Sequence, residues 1–221
     1  MAELSLLIEE TVRRERGRIV GALLRLSGSL DLAEEAFQEA ALAATETWRD
    51  SVPMNPGAWL MTAAKNSAKD ARRRRAVADA KAPLLREDDM DARDSIDRIS
   101  DDHLRLILTC CHPELTPENQ IALTLKLVAG FSTEEIARAF LSSEATLSQR
   151  ILRAKQTIAS KRVVFDAPER RELDERVAAV LGVVYSMFNE GHTAQSGPLM
   201  RLDLQAEALR LGRLLCDLVP L

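Results

Sequence analysis

Apolar side chains recur at Ile8, Val12, Ile19, Leu23 and Leu26, close to helical spacing, until the run SGSLD at 27–31 breaks the pattern. The spacing predicts a helix over about residues 3–28. Asp31 is placed to cap a second helix. In that helix Ala33, Phe37, Ala40, Ala44 and Trp48 form one stripe, while Glu34, Glu35, Gln38 and Glu39 gather toward its start, where acids suit the helix dipole. The stretch RDSVPMNPG reads as a loop, and Pro56 suits the first turn of a third helix running to about Arg75. Residues 76–100 are polar, acidic and weakly periodic, which predicts a linker with room for short helical turns at its ends.

A new helical pattern begins near Asp102 and stops at His112 and Pro113. Thr116 and Pro117 supply a cap and a first helical residue, and Gly130 ends that helix. Ser132 with Glu135 makes a capping box for a short helix containing Ile136, Ala137 and Phe140, and Ser143 caps the longer helix that follows. On the longer helix Leu147, Ile151, Ala154 and Ile158 point inward, which leaves Glu144, Ala145, Thr146, Ser148, Gln149, Arg150 and Arg153 facing out or to the side. Ser132 to Lys161 thus has the spacing of a helix-turn-helix, although Leu141 stands where many such turns carry glycine. The outward residue types suit base edges and phosphates. An ordinary helical hairpin with a solvated face has the same periodicity. After Phe165 two amphipathic helices are expected, joined at EGHTAQSGP, with Leu204, Ala208, Leu211 and Leu215 in register on the second. The chain then runs out in an apolar LCDLVPL, which calls for a packing partner, either further chain or another molecule.

Composition sharpens this picture. Aromatics make up only 4% of the 221 residues, so small helix-on-helix cores are expected in an all-α, multidomain chain. No run of about eighteen apolar residues occurs and the start mixes acids into apolar positions, so neither a membrane span nor a secretory signal is supported and a cytoplasmic location is expected. The net charge of −4 hides a division: residues 61–86 sum to +6 and 130–162 to +3, while every other segment is acidic. The first island holds Lys65, Lys69 and the run Arg72, Arg73, Arg74 and Arg75. Four adjacent arginines in an acidic chain favour a nucleic-acid backbone over a merely dipole-matched helix end. The three cysteines make a disulfide framework unexpected. Cys110, Cys111 and His112 invite a metal reading, but adjacent helical cysteines diverge and no second ligand pair follows, so packing and helix termination are expected. No phosphate loop, nucleophile elbow or paired-carboxylate pattern supports an enzyme, and no metal or cofactor is expected.

Three blocks resemble a known family. DLAEEAFQEAALAATETW resembles the polymerase-binding helix of bacterial sigma factors, NPGAWLMTAAKNSAKDARRRR the promoter-melting helix that follows it, and STEEIARAFLSSEATLSQRILRAK the sigma-four helix-turn-helix. Their order and spacing over about residues 5–162 resemble the extracytoplasmic-function group. TCCHPELTPENQIALTLKL and YSMFNEGHTAQSG resemble the subgroup with a C-terminal tetratricopeptide-like extension.

The resemblance implies a sigma-two domain at 1–75, a linker at 76–100, a sigma-four domain at 101–162 and a helical hairpin extension at 163–221. Asp31, Glu34, Glu35, Gln38 and Glu39 would bind a basic coiled coil of core RNA polymerase. Asn55, Lys65, Asn66, Lys69, Asp70 and Arg72 to Arg75 would bind the minus-ten promoter element, with the loop from Asp50 to Asn55 helping to hold an unstacked base. Ser143, Glu144, Thr146, Ser148, Gln149, Arg150 and Arg153 would read the minus-thirty-five element. Trp48 and Trp59 are candidate stacking platforms, but both lie on apolar stripes, so core packing is expected. The extension is expected to pack on a DNA-binding domain, and the resemblance names no anti-sigma factor. A stand-alone helix-turn-helix regulator and a helical protein-binding scaffold are the competing readings. The first predicts no effect of Glu35→Lys on function, and the second no effect of replacing Arg150 and Arg153 on nucleic-acid binding.

Overall fold

A computed structural model describes residues 2–49, 51–78, 96–161, 170–193 and 200–218; the expected linker between 79 and 95, Asp50 and the apolar end at 219–221 lie outside them. Every regular element among the described residues is an α-helix. These are α1 (Ala2–Ser27), α2 (Leu30–Thr47), α3 (Pro56–Ala78), α4 (Ile96–Cys110), α5 (Pro117–Leu127), α6 (Thr133–Ala139), α7 (Glu144–Ser160), α8 (Arg170–Thr193) and α9 (Met200–Leu218). The chain divides into two compact units, Met1–His103 and Leu104–Leu221.

In the first unit α1, α2 and α3 pack on one another around Ile19, Leu23, Phe37, Trp48 and Leu60, which are all buried. α1 stops because Gly28 takes φ +66°, a left-handed conformation open to glycine, and its N–H bonds the Leu24 carbonyl at 2.7 Å. The cap of α2 is Ser29 and not Asp31: the Ser29 hydroxyl accepts the Leu32 N–H at 3.3 Å, and Asp31 falls in the first turn. Trp48 is buried and meets Trp59 edge-on, with ring centroids 5.4 Å apart and planes at 72°. Both rings are therefore used in packing. Gly17 and Gly21, one turn apart on α1, form a notch for Asp102 and His103. A Cβ at Gly21 would stand 2.5 Å from the Asp102 carbonyl oxygen, and one at Gly17 would strike the His103 ring. The buried Asp102 carboxylate accepts a hydrogen bond from Arg25 Nε at 2.8 Å. α4 thus begins before the Asp102 start that the apolar pattern suggests, because its first turns are polar and acidic.

In the second unit Leu106, Ile107, Leu123, Leu125, Leu127, Ile136 and Leu147 build a core around α5, α6 and α7. Cys111 is buried beside the Thr124 hydroxyl, with 3.6 Å between Sγ and Oγ1, and burial pushes its thiol up to about 12. Gln120 Nε2 donates to the carbonyls of Cys111 and His112, at 3.2 and 3.0 Å, closing the end of α4. His112 Nδ1 accepts the Glu114 N–H at 3.1 Å. This cysteine-histidine cluster terminates a helix, and no group of three metal-ligating side chains occurs among the described residues. α8 and α9 form a hairpin on Val180, Val183, Met187, Leu204, Ala208, Leu211 and Leu215, and they touch α5 and α6 respectively. An open apolar cleft of about 750 Å³ runs along the hairpin past Leu181, Tyr185, Leu209 and Cys216.

Candidate polymerase and nucleic-acid interfaces

α2 buries Leu32, Ala33, Ala36, Phe37 and Ala40 against α1 and α3, which aims Asp31, Glu35, Gln38 and Glu39 at solvent along one face. Glu34 departs from that set. It is buried on the α1 side, where its Oε1 accepts a hydrogen bond from Arg16 Nη2 at 2.9 Å. The Arg16 guanidinium also sits 5.1 Å from the centre of the Phe37 ring. Desolvation lowers the Arg16 pKa, against the raising effect of the Glu34 charge and hydrogen bond. Glu34 therefore belongs to the internal packing and is withdrawn from the polymerase-facing set. Leu42, one turn beyond Gln38 and Glu39, adds a 63% exposed apolar side chain to the acidic face. Leucine is a common core residue, so its letter alone carries no sign of this.

α3 turns Ala64, Ala68 and Ala71 inward. Lys65, Lys69 and Arg72 then follow one line along the helix, and Asn66, Asp70 and Arg73 the line beside it. Arg74, with Ser67 two turns before it, lies toward α2. There Arg74 Nη2 stands 3.5 Å from Glu39 Oε1, and the Ser67 hydroxyl donates to Glu39 Oε2. Arg75 lies in the last turns of α3, and its side chain is outside the described set. Asn55 serves the backbone of α3, its side-chain oxygen accepting the Ala58 N–H at 3.0 Å and its carbonyl the Trp59 N–H at 3.1 Å. It is the N-cap of α3, so that oxygen is already engaged. The adjoining loop exposes Val52 and Met54.

The helix-turn-helix is assembled by its caps. The capping box at Ser132 and Glu135 is complete, with bonds of 3.1 Å and 2.6 Å. α6 ends as Ser142 and Leu141 donate back to the carbonyls of Ala137 and Arg138, which places Leu141 at φ +48°. Leu141 thus does take the left-handed turn conformation that glycine would fill without strain, and its side chain is 86% exposed. Ser143 caps α7 by accepting the Thr146 N–H at 3.1 Å, and the two hydroxyls lie 2.8 Å apart. Leu147, Ile151, Ala154 and Ile158 are buried, as the spacing predicts.

On the outer side of α7, Ala145, Thr146, Gln149, Arg150 and Arg153 line a polar cleft of about 430 Å³. Its far wall is Asn119 of α5, which no spacing argument within α7 could find. Glu144 and Ser148 are exposed beside the cleft without lining it. Glu118, next to Asn119, has its carboxyl held below the ordinary range by its own backbone N–H, then by the Thr116 hydroxyl, with a smaller contribution from the Arg150 charge.

Comparisons with known proteins fall on these same elements. Residues 11–77 match sigma-70 region 2, residues 105–158 match sigma-70 region 4, and residues 176–221 match a family of unknown function. The chain is 45% identical over 214 residues to an uncharacterised protein of Rhizobium meliloti (strain 1021), covering 93% of this chain and 51% of that one. It therefore spans about half the length of that relative. It is 34% identical over 132 residues to the RNA polymerase sigma factor CarQ of Myxococcus xanthus, covering 58% of this chain and 73% of CarQ. No solved structure matches. With region 2 on α1 to α3, region 4 on α4 to α7 and a sigma factor matched over most of its length, the chain belongs to the RNA polymerase sigma factors of the extracytoplasmic-function type.

Proposed function

We propose that this chain binds core RNA polymerase, directs it to a promoter and helps open the minus-ten element, with no catalysis of its own. The observation that carries the reading is the division of charge between adjacent helices of the first unit, acids on α2 and cations on α3. One helix can then face a basic protein surface while its neighbour faces a polyanion. Asp31, Glu35, Gln38 and Glu39, with Leu42 as an apolar contact, form the polymerase face. Lys65, Lys69 and Arg72 to Arg75 hold the phosphate backbone, with Asn66 and Asp70 beside them.

In the second unit Gln149, Arg150 and Arg153 read or hold the minus-thirty-five duplex, Ser143 and Thr146 fix the start of the helix that does so, and Asn119 contacts the strand from the opposite wall. The test is retention of core RNA polymerase by the tagged chain. The wild type is retained at low salt, and Glu35→Lys abolishes retention. Equal retention of both removes the polymerase assignment of α2, whereas no retention of the wild type at low salt shifts the weight to a free helix-turn-helix regulator.

The C-terminal hairpin is proposed to support the sigma-four helices through the contacts of α8 with α5 and α9 with α6. Removal of residues 165–221 is then expected to lower promoter-dependent transcription. Unchanged fold, polymerase affinity and transcription would refute this role.

A further inference from the structure

The proposed polymerase face and the proposed DNA face share one carboxylate. Glu39 projects from the acidic side of α2, yet both its oxygens are engaged by α3: Oε1 by the Arg74 guanidinium at 3.5 Å and Oε2 by the Ser67 hydroxyl. The side chains of Glu39 and Arg74 are 46% and 63% exposed, so each can change partner without disturbing the packing beneath, where Ala40 and Ala71 are buried. A carboxylate held against Arg74 lowers the positive potential that a phosphate meets there. A cationic surface settling on α2 competes with Arg74 for the same carboxylate.

Resting on the function proposed for the two helices, we propose that Glu39 is a gate between the two faces. In the free chain it holds Arg74 back from nucleic acid. When a basic protein surface docks on α2, that surface takes the carboxylate and Arg74 is released to a promoter phosphate. Docking on one face thereby raises affinity on the other, and by linkage the effect is reciprocal.

The experiment is fluorescence anisotropy of the full chain with a labelled duplex oligonucleotide, alone and saturated with core polymerase. Glu39→Gln is expected to tighten DNA binding by the free chain about two- to fivefold, the range for releasing an exposed ion pair. It is also expected to steepen the log–log salt dependence by up to about 0.9, one further phosphate contact. In an Arg74→Gln background, and in the polymerase complex, Glu39→Gln is expected to have no effect. A wild-type background that shows no tightening overturns the gate. So does a tightening that survives in Arg74→Gln, since that is general charge repulsion, or one that survives in the polymerase complex. Arg73→Gln separates the two levels. If it weakens DNA binding while Glu39→Gln does nothing, only the gate fails; if it also does nothing, the DNA reading of α3 fails with it.

Discussion

Glu34 and Glu35 are neighbours of identical chemistry with opposite duties. The first is sealed against Arg16 inside the first unit and the second is exposed on the acidic face. Breaking a buried pair from one side strands the other charge, so Glu34→Ala is expected to destabilise by about 3–5 kcal/mol. Glu35→Ala is expected to stay within about 0.5 kcal/mol of wild type. Urea denaturation of the two variants checks the contrast. A smaller cost at Glu34 would mean that Arg16 finds water or another acid on release. The same distinction explains why Glu34 reads as a surface acid in the sequence. Its partner comes from another helix, eighteen residues earlier, so no local spacing announces it. The cap of α2 is a milder case: Ser29 and Asp31 are both good capping residues two positions apart, and the backbone bond to Leu32 decides between them.

At the scale of elements, the helices themselves are legible because each carries a continuous apolar stripe, and the buried set Leu147, Ile151, Ala154 and Ile158 of α7 is read directly from its spacing. The first turns of α4 are not legible, since IDRISDD offers few apolar positions to mark a period. Asn119 stays hidden for a related reason: it joins the α7 cleft only once α5 is folded beside it. The turn of the helix-turn-helix holds a residue that fits its conformation poorly. Leu141 keeps a left-handed backbone at a cost of about 1–2 kcal/mol and, being exposed, recovers little by burial. Leu141→Gly is expected to stabilise the second unit by up to about 1 kcal/mol, part of the strain relief being offset by the greater freedom of the unfolded glycine. The measurement is an equilibrium unfolding curve, with duplex affinity unchanged. A loss of stability would show that the exposed leucine has a contact after all.

For the molecule as a whole, a net charge of −4 hides how unevenly the charges are spread along the chain. Cations gather on α3 and around α7, so a polyanion meets attraction at two places and repulsion elsewhere. On the proposed function, each island meets its own promoter element. The two units also differ in what light they absorb. Both tryptophans, Trp48 and Trp59, lie edge-to-face in the first unit, and the only tyrosine of the chain, Tyr185, lies exposed in the second. Emission excited near the red edge of tryptophan absorption therefore follows the first unit alone, and a loss of helical circular dichroism at constant tryptophan emission marks melting of the second. The protein carries its own optical label for telling the unfolding of one unit from that of the other.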